Sequence, residues 1–156
     1  VAKTQANQSF DPDRGPVLSA RFAIAIVLVV LGLAWIVYYY VGVRPEGEIS
    51  DAGEVLGAKG PVFLRDLGDW NYLIGFGALF LGLIVSAHPS TPLGRGRGVV
   101  AGMLGCFLVG LAWICVFYAI ANDTSAVPIF DDLGQKNLMV GIGFMAVGFT
   151  FATRWE

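Results

Sequence analysis

The chain has 156 residues, 56% of them hydrophobic and 14% charged, with a formal net charge of −2. Soluble domains carry about 25% charged residues, so a mean hydropathy of +0.68 excludes an ordinary water-soluble globule. Lys and Arg number 10 against 12 Asp and Glu, and no basic tract stands out, which excludes a nucleic-acid binder.

Four charge-free stretches follow in chain order. Phe22–Val43 lies between Arg21 and Arg44, Trp70–Gly94 between Asp69 and Arg95, Gly98–Asn122 between Arg97 and Asp123, and Asn137–Thr153 between Lys136 and Arg154. At ~1.5 Å per residue each can cross a hydrocarbon core of roughly 30 Å, the last one barely. The second stretch holds a polar turn, Ser86 to Pro92, so its helix is expected to end near Ala87. The first apolar run is too long for a signal peptide, begins too late and lacks a small-residue cleavage site. The expected fold is all-α, a polytopic membrane protein with four transmembrane helices in two hairpins. Its expected parts are a cytoplasmic tail (1–21), a first hairpin with a long acidic outer loop (22–88), a basic cytoplasmic linker (89–97) and a second hairpin (98–156).

Orientation follows from the loops. The tail, the linker and the C-terminus hold Lys3, Arg14, Arg21, Arg95, Arg97 and Arg154 against Asp11, Asp13 and Glu156, a net charge of +3. The other two loops hold Arg44, Lys59, Arg65 and Lys136 against nine acids, a net charge of −5. Basic residues stay cytoplasmic, and Arg95 and Arg97, with no acid near them, are the firmest marker. Both termini are expected in the cytoplasm.

The chain also repeats itself. Gly32-Leu33-Ala34-Trp35-Ile36 recurs as Gly110-Leu111-Ala112-Trp113-Ile114, and Asp66-Leu67-Gly68 recurs as Asp132-Leu133-Gly134. Asn71, Gly75, Gly77 and Gly82 match Asn137, Gly141, Gly143 and Gly148 in the same register. The first copy is longer in its acidic stretch, Pro45 to Pro61. Each copy is a hairpin that returns to its starting side, so the repeats are parallel rather than inverted.

These residues resemble a known family. A first span ending in Gly-Leu-Ala-Trp, then Leu67-Gly68-Asp69-Trp70-Asn71-Tyr72, the Gly-rich Ile74-Gly75-Phe76-Gly77 and the ending Thr153-Arg154-Trp155 look like CrgA, a small two-span actinobacterial membrane protein of the division septum. The second copy reads Leu133-Gly134-Gln135-Lys136-Asn137-Leu138 and has lost both aromatics. The resemblance implies a tandem duplication of a CrgA-like unit and a role in recruiting septal proteins.

Chemistry is thin. A buried charge in a membrane is expensive and marks function, and no Asp, Glu, Lys, Arg or His lies mid-span. The lone histidine, His88, is expected to be a solvated loop residue. Cys106 and Cys115 sit on opposite sides of one helix and read as small packing residues. The outer acids (Glu46, Glu48, Asp123, Asp131, Asp132) have no calcium-loop spacing and read as a solvated face. Asp66 and Asp132 read as helix-entrance residues that complement an N-terminus. No cofactor or metal is expected.

Packing surface is what remains. Gly98, Gly102 and Gly105, Ala78 with Gly82 and Ser86, and Gly148 with Ala152 form small-residue stripes that let helices approach closely in lipid. Trp35, Tyr38, Tyr39, Tyr40, Trp70, Tyr72, Trp113, Tyr118 and Trp155 fit interfacial belts. The first copy, with Trp70, Tyr72, Gly75, Gly77 and Gly82, is expected to present the docking face. Arg95 and Arg97 are expected to meet anionic lipid or an acidic partner. The chain thus reads as a non-catalytic scaffold or accessory subunit that docks on other integral membrane proteins of a larger complex. A respiratory supercomplex is the alternative host, and a small transporter is disfavoured by the absence of intramembrane charge. The polar tail, Lys3 to Arg14, has no apolar periodicity and is expected to need a partner to become ordered.

Overall fold

In the computed structural model, which describes residues 18–44 and 60–154, the chain turns helical at Ala20. Ser19 caps that start, its hydroxyl accepting the Phe22 N–H at 3.1 Å, as an N-terminal serine does for otherwise unpaired donors. Helix α1 (Ala20–Gly42) and helix α4 (Arg97–Ala119) have 23 residues each, about 35 Å at 1.5 Å per residue. Helix α3 (Trp70–Ser86) and helix α6 (Lys136–Ala152) have 17 each, about 26 Å. All four fall on the charge-free stretches, although α4 stops at Ala119, short of Asn122.

Two short helices were not anticipated. Helix α2 (Val62–Leu67) precedes α3, and helix α5 (Phe130–Leu133) precedes α6 after a single 3-10 turn at Thr124–Ala126. Each ends at a glycine with positive φ, Gly68 at 49° and Gly134 at 47°, a conformation that side chains rarely adopt. This is the local reason for the glycine in the repeated Asp-Leu-Gly. No strand occurs among the described residues.

Helix α1 lies antiparallel on α3, and α4 lies antiparallel on α6. The crossings match closely. A Cβ on Gly32 would stand 2.6 Å from the Gly75 carbonyl oxygen, and one on Gly110 would stand 2.6 Å from that of Gly141. Reciprocally, Cβ atoms on Gly75 and Gly141 would each come within 2.4 Å of an isoleucine Cγ1, from Ile36 and Ile114. Small residues at the crossing are what bring helix backbones together without water.

The hairpins meet through α3 and α6, which run in the same direction. Phe80 lies over Gly143 and edge-on to Phe144, with ring centroids 5.1 Å apart. Gly77, the counterpart of Gly143, has nothing within 4 Å of its would-be Cβ, and the sequence counterpart of Phe80 is the small Ala146. Towards the end that carries α2 and α5 (the loop end), the core is Ile36, Tyr39, Leu64, Tyr72, Phe76 and Val140. Towards the α3–α4 turn it is Ala87, Val99, Cys106, Val147 and Phe151. In that turn the buried Thr91 hydroxyl donates to the His88 carbonyl at 2.8 Å and accepts the Gly94 N–H at 3.1 Å. The expectations for residues 1–17, for 45–59 of the acidic loop and for Trp155 lie outside the described residues.

Candidate functional site

The polar groups gather at the loop end, and two constellations account for most of them. The first is an asparagine clip built twice. Asn71 Nδ2 donates to the carbonyls of Leu64 (2.7 Å) and Gly68 (2.9 Å), and Asn137 Nδ2 donates to those of Phe130 (2.8 Å) and Gly134 (2.9 Å). Both side chains are fully buried. Each clip ties a short helix to the long one after it and satisfies carbonyls that the helix end leaves over. The copies then diverge. Trp113 Nε1 donates to Asn137 Oδ1 at 3.2 Å, whereas Trp35 Nε1 and Asn71 Oδ1 are buried without a partner among the described residues. Phe130 stacks on Trp113 at 4.7 Å, but its counterpart in the first copy is Leu64, which offers no ring to hold Trp35. The repeat marked both asparagines and did not reveal what they do.

Asn137→Ala should therefore destabilise the chain more than Asn71→Ala. Each loses two hydrogen bonds, about 1–2 kcal/mol, although the Gly68, Gly134 and Phe130 carbonyls keep a backbone donor, and Asn137→Ala also strands the Trp113 indole, about 1 kcal/mol more. Thermal unfolding in micelles checks the order of the two.

The second constellation occurs once. Asp132, in α5, accepts from Arg44 Nη1 at 2.9 and 3.0 Å and from the Tyr72 hydroxyl at 2.5 Å. Arg44 also lies 4.0 Å over the Tyr40 ring, a favourable cation–π placement, and Tyr39 meets Tyr72 edge-on at 5.0 Å. Donors from the first copy thus grip an acid of the second. The entrance-residue reading of Asp132 and Asp66 is corrected here. Asp132 lies in the first turn of α5, but its oxygens go to the clamp and not to backbone N–H groups. Asp66 lies inside α2, exposed, and makes no hydrogen bond or ion pair among the described residues. Counterparts of the clamp donors are missing in the second copy, where Leu138 and Asn122 replace Tyr72 and Arg44.

The aromatics expected at the span boundaries divide by burial. Tyr38, Trp70 and Tyr118 are exposed, but Tyr39 and Tyr72 are core residues and Trp113 packs on Phe76 and Phe130. Of the expected glycines, Gly75 and Gly82 pack inside the first hairpin, and Gly82 would place a Cβ 2.8 Å from the Ala25 carbonyl oxygen. A Cβ on Gly102 would run into the Phe151 ring, and one on Gly98 into the Pro92 carbonyl oxygen. Of these six glycines, Gly77 and Gly105 are open. The glycine face of the first copy is thus turned inward, while Trp70 remains outside.

His88 is in a loop but is not simply solvated. Its Nδ1 accepts the Ser90 N–H at 3.1 Å, and Arg21 Nη1 stands 3.0 Å from Nε2. Partial desolvation, with the guanidiniums of Arg21 and Arg154, lowers its pKa below the ordinary histidine value. Cys106 is buried and Cys115 exposed, on opposite sides of α4. Arg97 is exposed at the start of α4 and Arg95 is half-buried. Among the described residues no group of three His, Cys, Asp or Glu could hold a metal ion.

Between α3 and α6 at the loop end lies an apolar groove of about 470 Å³. Lys136 and Asp69 pair across its mouth.

These features define an all-helical protein of membrane type, in which two copies of one hairpin are locked together by polar contacts at one end. The model of the cell division protein CrgA family matches in two successive segments, 2–88 and 92–156, and the chain belongs to that family. The first segment contains α1 to α3 and the second contains α4 to α6. The chain is similar to the cell division protein CrgA of Streptomyces avermitilis, 49% identical over 61 residues, which are 38% of this chain and 68% of that protein. It is also similar to those of Corynebacterium aurimucosum (38% over 64 residues, 41% of this chain and 54% of that protein) and Corynebacterium glutamicum (33% over 63 residues, 40% and 53%). The chain therefore spans about half to two thirds of the length of these relatives. No solved structure matches it. The family does not favour a respiratory host.

Proposed function

We propose that the chain is a non-catalytic scaffold that crosses the cell membrane four times, both termini in the cytoplasm, and docks other integral membrane proteins in the division apparatus. One observation carries this reading. The polar groups at the loop end are spent inside the chain, on the clips within each copy and the clamp between the copies, while the apolar sides of the long helices point away from the chain. Only 22% of the most apolar window of α1 and 17% of that of α4 is buried, so most of both helices is left for lipid or a neighbour. On α4, Gly105 is exposed between Ala101 and Leu108, a place where another helix backbone can come close. Arg95 and Arg97, in the linker between the hairpins, then face anionic lipid on the cytoplasmic side.

Affinity purification of the tagged chain from native membranes should recover septal membrane proteins. Recovery of none, or of cytochrome subunits in their place, overturns the scaffold reading. Topology has its own test. Single cysteines placed at 45–59, in a Cys106→Ala, Cys115→Ala background, should react with an impermeant maleimide from outside intact cells. Cysteines at 89–97 should react only after lysis. The reverse pattern inverts the orientation.

A further inference from the structure

The groove between α3 and α6 opens sideways at the loop end, and the docking role leaves it unused. Trp70, Leu73, Phe76 and Phe80 line it from α3, with Met139 and Val140 from α6. From Asp69 to Phe80 it follows the helix for about 16 Å. One charge of each sign stands at its mouth, Asp69 on one wall and Lys136 on the other, each about half exposed at 54% and 53%. An ion pair so exposed contributes little on its own, so it yields to a ligand that brings both charges.

Size decides the class of occupant. A helix is 10–12 Å wide with side chains, far thicker than a single hydrocarbon chain, and the space between the walls is about 470 Å³. The groove walls are rings and long side chains, not the glycines that bring backbones together. A single hydrocarbon chain suits both the volume and the length.

We propose that this groove binds one acyl chain of a glycerophospholipid with a zwitterionic primary-ammonium headgroup, of the phosphatidylethanolamine type. The acyl chain lies between Leu73 and Met139 and reaches Phe80. The phosphate meets the Lys136 ammonium, and the headgroup ammonium meets the Asp69 carboxylate. Trp70, 65% exposed, stands beside the mouth at the depth where indoles meet lipid headgroups. An anionic headgroup would answer Lys136 but set a like charge against Asp69. A choline headgroup carries no N–H to donate. The assignment rests on the membrane reading above and extends it to a specific lipid.

The test uses the full chain in nanodiscs of equimolar phosphatidylethanolamine, phosphatidylglycerol and phosphatidylcholine, released into native mass spectrometry. One phosphatidylethanolamine should stay bound per chain, about tenfold preferred over the other two. Asp69→Asn should abolish the preference over phosphatidylglycerol. Leu73→Trp, at an exposed position, should fill the groove and lower retention of all three about tenfold, with circular dichroism unchanged. Equal retention of the three lipids, preference for phosphatidylglycerol, or undiminished retention by Leu73→Trp overturns the site. Vesicle flotation separates the two readings. A chain that floats with vesicles yet shows no preference defeats the lipid site alone, and a chain that does not float defeats the membrane reading itself.

Discussion

Gly75→Leu should unfold the first hairpin rather than detach a partner. The substituted side chain would meet Ile36 at 2.4 Å and the Gly32 carbonyl oxygen at 3.2 Å, with α1 and α3 already in backbone contact. Overpacking a well-filled core costs about 1–3 kcal/mol and sometimes more. Here the obstacle includes backbone, so about 3 kcal/mol or more is expected. Gly141→Leu meets Ile114 and Gly110 in the same way and should cost about as much, which makes the pair a direct test of structural equivalence. Gly77→Leu and Gly105→Leu are the controls, since nothing lies within 4 Å of either would-be Cβ. Both should unfold within about 0.5 kcal/mol of the native chain, as substitutions away from packed features do. Gly105→Leu should lower recovery of the septal partners even so. Equal thermal stability of Gly75→Leu and Gly77→Leu would remove the helix crossing as the basis of the hairpin.

Asp132→Ala should loosen the contact between hairpins while leaving each hairpin helical. It removes the acceptor shared by Arg44 and Tyr72, in a site where the ion pair is about a quarter exposed. Breaking a fully buried pair costs about 3–5 kcal/mol. Partial access to water reduces that to about 2–3 kcal/mol. Tyr72→Phe should cost about 1 kcal/mol, because it removes one hydrogen bond and no charge. A disulfide between cysteines introduced across α3 and α6 would report the change as slower cross-linking in Asp132→Ala. The matching change in the first copy, Asp66→Ala, should leave both stability and cross-linking unaltered. Should Asp66→Ala and Asp132→Ala behave alike, the clamp is not what joins the copies.

Helix positions were legible because charge is so costly in an apolar span that its gaps outline the helices to within a few residues. The repeat was legible for a related reason. Gly32 and Gly75 have no substitute where two backbones touch, so the pattern persists at Gly110 and Gly141. What the pattern leaves open is direction, since a glycine reads the same whether it meets a helix of its own chain or of another. Gly75 and Gly82 were expected to face a partner and face α1. Tyr72 shows a second limit. As a tyrosine near a span boundary it fits an interfacial belt, and only the fold brings Asp132, 60 residues away, to its hydroxyl. Helices α2 and α5 were missed because four to six residues are too few to carry a periodicity, although the repeated glycine that ends them was in view.

The one-sidedness of the clamp bears on which halves can pair. The first copy carries both donors, Tyr72 and Arg44, and in Asp66 a spare acid at the position of Asp132. The second carries only the acid. Freed from each other, two first halves could build the clamp twice over, a first and a second half once, and two second halves not at all. Contact chemistry alone would therefore favour the wrong match. The short turn between α3 and α4, fixed by the buried Thr91, overrides that preference by holding the second half at the high effective concentration of a tethered neighbour. In this chain pairing fidelity is a property of the tether, and severing it should turn one pairing of two unequal halves into a mixture dominated by self-paired first halves.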